Sequence, residues 1–203
     1  MRDKIINKSE ELFLNFGFKS VTMDDLANEL GISKKTIYVH FPNKTKLVEA
    51  TTLHMFETIS CGIDCISQLK KNPIEEIFDI KQFVMEHLKN EKSSPQYQLQ
   101  KYYPKIFATL KTKQFDVMQN CVTENLNRGI KLELYRDNIN VDFISRLYFN
   151  GMVALKDQDL FPLKSFSMNS LMEYYIEYHL RGICTSKGLE TLTKLLKINQ
   201  INK

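Results

Sequence analysis

Between Val21 and Ile37 the chain writes the same helix-start signal twice, VTMDDL and ISKKTI, on either side of Gly31. Thr22 predicts an N-cap, and Asp25 three residues on predicts the return half of a capping box, with a shorter acid than usual. Val21 and Leu26 stand at the two positions of a hydrophobic staple. Ser33 repeats the cap, and Ile32 with Ile37 repeats the staple. Gly31 supplies a left-handed turn, and Ala27 is small where two such helices would cross. Two short helices joined through Gly-Ile-Ser leave little freedom: this is the layout of a helix-turn-helix.

The rest of the chain reads as helix as well. Seven Gly and five Pro in 203 residues are too few turn residues for many short strands. A hydrophobic content of 43% is enough for a real core. Ile5, Ile6, Leu12, Phe13 and Phe16 recur at helical spacing over 3–16, and Gly17 stops that helix. Asn43 starts a long helix with Leu47, Ala50, His54, Phe56, Ile59, Ile63 and Ile66 facing inward, up to Asn72-Pro73. Further helices are expected near 74–92, from the Ser94-Pro95 cap, at 113–128 up to Gly129, and at 141–156, 168–183 and 187–197. Pro104 kinks or restarts the chain, and 157–165 reads as a loop. The expected architecture is all-α. A helix-turn-helix domain over 1–48 precedes a larger helical domain over 49–203.

Charge gives the first domain a purpose. Residues 1–50 hold eight Lys or Arg against seven Asp or Glu, yet every charge between Gly31 and Val48 is positive. Lys34 and Lys35 fall at the start of one helix, Lys44 and Lys46 at the start of the next. There the macrodipole is itself positive, so each exposed lysine costs roughly 0.3–1 kcal/mol. An anion docked at these ends reverses that sign, and DNA phosphates come in rows that suit a face. The helix from Ser33 to Val39 is therefore expected to enter the major groove by its N-terminal end. Ser33, Lys34, Lys35 and Thr36 would reach bases or phosphates. Tyr38, His40, Lys44, Lys46 and the capping Thr22 would meet the backbone.

Other classes find little support. The scattered His40, His54, His87 and His179 form no base–nucleophile pair, and HExxH, G-x-S-x-G and a phosphate-binding glycine turn are all missing, so no catalysis is expected. Cys61, Cys65, Cys121 and Cys184 make no CxxC pair, and a reduced, cytoplasmic chain is the expectation. Cys61 and Cys65 lie one turn apart, too few for a closed metal site. They are expected to be buried and inert, with a thiol- or redox-responsive role as the alternative. No cofactor or metal is implied. No run approaches the roughly 18 apolar residues of a membrane span.

The stretch GFKSVTMDDLANELGISKKTIYVHFPNKTKLVEA resembles the TetR family of bacterial transcription regulators. Gly17, Phe18, Thr22, Leu26, Ala27, Gly31, Ile32, Ser33, Thr36, Ile37, Tyr38, His40, Phe41, Lys44 and Leu47 match its pattern, and Val21 departs from a frequent Thr. The resemblance covers about residues 1–50, a quarter of the chain. It implies an all-α homodimer that binds a palindromic double-stranded DNA operator, usually as a repressor, and is released by a small molecule. The aromatic and sulfur-bearing side chains between about 83 and 125 point to a hydrophobic or aromatic effector. Its cavity would draw on Phe83, His87, Tyr97, Tyr102, Tyr103, Phe107, Phe115, Met118, Cys121, Asn125, Phe149 and Met152. The implied dimer seam would use two late helices through Phe143, Leu147, Leu171, Met172, Tyr175, Ile176 and His179. A regulator without an effector is the alternative.

Overall fold

A computed structural model describes residues 1–88, 95–157, 159–162 and 164–201. Among these residues the chain is all-α, with ten helices. In order they are α1 (Arg2–Phe16), α2 (Met23–Leu30), α3 (Lys34–His40), α4 (Lys44–Gln68) and α5 (Pro73–His87), then α6 (Pro95–Tyr102), α7 (Pro104–Lys131), α8 (Val141–Ala154), α9 (Met168–Ile183) and α10 (Ser186–Ile201). One isolated bridge joins Tyr135 to Cys184. No described helix is long and apolar enough to cross a membrane.

The helix boundaries follow the caps where caps exist. Asn140 and Ser167 accept from the backbone amides of Phe143 and Ser170, opening α8 and α9 as Ser33 opens α3. Three expectations are corrected. Pro104 restarts the helix outright, so α7 begins there and not at 113; proline at N1 loses an amide that would have no partner anyway. The same helix runs past Gly129 to Lys131, and this glycine makes room for the Tyr135 ring, which packs where a Cβ would stand, instead of ending the helix. In α4 the buried residues are Leu47, Val48, Thr51 and Thr52, while Ala50, His54, Phe56, Ile59, Ile63 and Ile66 are half-buried. The expected cap at Ser94 and the extension of α5 through 89–92 lie outside the described residues, as do Gln158 and Leu163 of the expected loop.

The chain forms two compact units. The first comprises residues 1–61 and 86–114. Its core gathers Ile5, Phe13, Phe18, Leu26, Ile37, Phe41, Leu47 and Val48, and is joined by Leu99, Ile106 and Leu110 from α6 and α7. The second comprises residues 62–85 and 115–203. Its core centres on Ile74, Leu126, Tyr135, Ile176, Leu180 and Leu192.

The second unit also contains a buried polar cluster. Glu76, only 1% exposed, accepts from Asn125 Nδ2 at 2.8 Å and from Arg128 Nη1 at 2.7 Å. Asn125 Nδ2 also donates to the Pro73 carbonyl at 2.9 Å, and Tyr135 Oη donates to Asn125 Oδ1 at 3.1 Å. A buried carboxylate persists only with such partners. The cluster ties the start of α5 to the last turns of α7.

Candidate nucleic-acid interface

The two helix starts read from the sequence are built as expected. Thr22 Oγ1 accepts from Asp25 N at 3.1 Å, and Asp25 Oδ2 accepts from Thr22 N at 2.8 Å, closing the capping box. These bonds to Thr22, helped by the Lys44 charge, hold the Asp25 carboxyl below the usual carboxylate range. Gly31 adopts φ 63° and ψ 33°, the left-handed conformation that ends α2 without steric penalty. Ser33 Oγ accepts from Thr36 N at 3.1 Å and starts α3. Leu26 and Ile37 are fully buried in one core, which fixes the two helices to each other and leaves the opposite face of α3 in solvent. On that face Lys34, Lys35, Tyr38 and Val39 are exposed, and Thr36 and His40 are half-buried. Val39, at 74% exposure, is an apolar group the charge pattern did not single out.

The lysines do not all stand as bare cations at helix ends. Lys34 Nζ pairs with Asp24 at 2.7 Å, and Lys46 Nζ pairs with Glu49 at 2.7 Å. The hydrogen bond to Asp24 raises the Lys34 ammonium above its ordinary range. Lys44 is half-buried, and its Nζ donates to the Lys19 carbonyl at 3.0 Å. Burial lowers its pKa and the Asp25 charge raises it, the first effect being the larger. Carboxylates of the chain itself thus offset part of the repulsion between lysine and helix dipole. Asn43 Oδ1 completes the start of α4 by accepting from Lys46 N at 2.9 Å.

Two contacts near this face are not expected from the sequence. Gln98, on α6, accepts from Lys19 N at 3.1 Å, and its amide occupies the space a Cβ on Gly17 would need. Gly17 has φ 85° and ψ 155°, a conformation essentially reserved for glycine. Lys19 Nζ sits 4.8 Å from the centre of the Tyr102 ring. A contact across 79 residues leaves no local periodic signal.

The residues expected around an effector separate into two groups. Tyr103 and Phe107 pack against the first core. Tyr97, Tyr102 and His87 are exposed in the same unit. In the second unit Phe115 and Phe149 meet edge to face at 5.2 Å. Phe83 fills the space beside Gly62, and Met118 is half-buried. Met152 packs with Leu155, Leu171 and Met172. Cys121 lies 3.6 Å from Ser67 Oγ, its thiol pushed up by burial. Asn125 belongs to the Glu76 cluster. An open depression of about 490 Å³ in the second unit is lined by Lys70, Asn120, Thr123, Glu124, Asn127, Arg128 and Lys131, a polar wall that shares no residue with the expected apolar set.

The residues expected at a dimer seam also divide. Phe143 and Leu147 are exposed at 60% and 48%. Leu171, Met172, Ile176 and His179 are buried within their own chain, and Tyr175 Oη donates to the Leu147 and Tyr148 carbonyls at 3.1 and 3.2 Å. The exposed face of α9 instead carries Tyr174 and Tyr178. Burial lowers the pKa of His179 to about 4. The expectation that Cys61 and Cys65 are buried is overturned: both are exposed, because the inward stripe of α4 passes through Ile59, Ile63 and Ile66 instead.

Comparison with known proteins agrees with this geometry. The family described as "Bacterial regulatory proteins, tetR family" matches residues 5–51, which run from α1 through the first turns of α4. The biofilm operon icaADBC HTH-type negative transcriptional regulator IcaR of Staphylococcus aureus is 33% identical over 72 residues. That match takes in 36% of this chain and only 38% of IcaR. The HTH-type transcriptional regulator YvaF of Bacillus subtilis is 25% identical over 90% of this chain and 95% of its own. A TetR-family regulator of Agrobacterium tumefaciens shares the fold over 91% of this chain and 97% of its own, with a TM-score of 0.72 at 15% identity. A capped helix pair built on buried Leu26 and Ile37, the family match over that same segment, and an all-α fold shared over nearly the whole chain converge: residues 5–51 form a helix-turn-helix segment of the tetR type, carried on a chain that has the fold of a TetR-family regulator.

Proposed function

We propose that the chain is a transcriptional regulator that binds duplex DNA through α3 and the starts of α2 and α4. The observation that carries this reading is the outward face of α3. Two helices are locked by their caps and by buried Leu26 and Ile37, while Lys35, Tyr38 and Val39 stand in solvent. Ser33, Lys34, Lys35 and Thr36 lead into the major groove, where Val39 supplies an apolar contact of the kind that reads a thymine methyl. Thr22, Tyr38, His40, Lys44 and Lys46 hold phosphates. The ion pairs from Lys34 to Asp24 and from Lys46 to Glu49 open on binding and exchange a carboxylate for a phosphate.

One such helix reads few base pairs, so the active species is a homodimer on an inverted repeat. Exposed Phe143, Leu147, Tyr174 and Tyr178 on α8 and α9 are the apolar surface that would cover its counterpart. Repression is the direction of control, as the name of IcaR states for that relative. A small hydrophobic or aromatic effector acts on the second unit around Phe115 and Phe149. Exposure of Cys61 and Cys65 favours a second reading, release of DNA by thiol modification. Selection of bound duplexes from a random pool tests the main proposal. An inverted repeat with half-sites about one helical turn apart, or a multiple of it, is expected. A pool that stays random after repeated selection contradicts it.

A further inference from the structure

We propose that Lys101 and Lys105, together with Lys19, form a second basic face that grips phosphates of duplex DNA beside those held by α3 and the start of α4. The proposal rests on the DNA-binding reading above. Its first support is charge. Residues 92–115 contain five lysines and no acidic residue, the longest stretch of one sign in the chain. Its second support is packing. Leu99, Ile106 and Leu110 turn this segment's apolar side into the same core as Phe13, Leu26 and Ile37. The opposite side, with Lys101, Tyr102 and Lys105, is exposed. The cations are therefore fixed to the body that carries α3.

Continuity is the third support. Lys44 Nζ donates to the Lys19 carbonyl, and Lys19 N donates to Gln98 on α6. Lys19 Nζ stands over the Tyr102 ring at 4.8 Å, and Lys101 Nζ lies 5.5 and 5.7 Å from the Tyr97 and Tyr102 rings. A row of ammonium groups thus runs from the start of α4 onto α6, held in place by aromatic faces. Lys34 and Lys46 have carboxylate partners, but among the described residues Lys19, Lys101 and Lys105 form no ion pair. DNA suits such a row better than an acidic peptide does, since its phosphates continue in both directions past the half-site at a fixed spacing.

The test is a titration of a fluorescent mixed-sequence duplex by the whole chain over a range of salt. The variants are K101Q/K105Q and, as a control of equal charge, K194Q/K197Q on the exposed side of α10. Thermal melting of each confirms that it folds. The first variant is expected to bind more weakly, with a salt slope shallower by about 0.9 for each lost contact. The control is expected to keep the wild-type slope. Wild-type affinity and slope for K101Q/K105Q overturn the proposal, and so does an equal loss in both variants, which reads net charge alone. If K101Q/K105Q keeps its grip on DNA and loses binding to polyglutamate, the face takes an acidic protein and the proposal fails. Wild-type chain that ignores duplex DNA removes the underlying reading, whereas Lys44→Ala losing slope while K101Q/K105Q does not removes only this one.

Discussion

Ser33 shows how much one side chain decides. Its hydroxyl accepts from Thr36 N and places the first turn of a seven-residue helix, too short to hold itself together. Ser33→Ala is expected to destabilise the chain by about 1 kcal/mol, read as a lower midpoint in urea unfolding. Both caps, and the left-handed Gly31, were legible because capping is a local contract between residues three apart. The lysines were legible in position and not in state. Asp24 precedes Lys34 by ten residues, and nothing in their spacing says that they pair at 2.7 Å. The helix dipole at α3 and α4 is therefore balanced in the free protein more fully than the charge run alone suggests.

At the scale of elements, the sequence placed nearly every helix and misjudged several faces. α9 is the instructive case. Leu171, Met172, Tyr175, Ile176 and His179 form a helical stripe, and so do Tyr174 and Tyr178; both carry large side chains, so periodicity alone does not say which one meets the core. The fold turns the first inward, burying all of it but the half-buried Tyr175. Burying His179 has a measurable consequence. Its pKa of about 4 lies below the unfolded value, so the unfolded chain takes up this proton first as pH falls. Stability linked to His179 is complete above about pH 6.5 and is lost as pH drops toward 4. The difference in melting temperature between wild type and His179→Gln should shift against the wild type over that window; a constant difference speaks against a buried neutral imidazole. The Glu76 cluster makes the complementary point for α5 and α7. Arg128→Ala strands a buried carboxylate and should cost about 3–5 kcal/mol in unfolding experiments, while Arg128→Lys should recover part of it.

For the whole molecule, the all-α class followed from scarce Gly and Pro and from helical periodicity, both properties of the chain as a sum. The membership of the first unit did not. Leu99, Ile106 and Leu110 join the core of α1–α4 across a long separation in sequence, and such contacts carry no local mark. Assembly is the property on which the proposed function turns at this scale. The exposed apolar groups of α8 and α9 predict a dimer that L147E/Y178E converts to monomer in sedimentation at micromolar concentration, with each chain still helical by circular dichroism. Monomers should lose preference for an inverted repeat before they lose general attraction to DNA, because two heads supply the specificity and phosphates supply much of the affinity.

The central claim, that α3 and the neighbouring helix starts hold duplex DNA, meets its most direct test in the salt dependence of binding. Anisotropy of a labelled duplex, titrated with wild type, Tyr38→Ala and Lys44→Ala, gives it in one series. The account predicts tight binding at low ionic strength, log affinity falling linearly with log salt, and a slope shallower by about 0.9 for Lys44→Ala, with Tyr38→Ala weaker on every sequence. No binding by the wild type at low salt, or three superimposable curves, would contradict it.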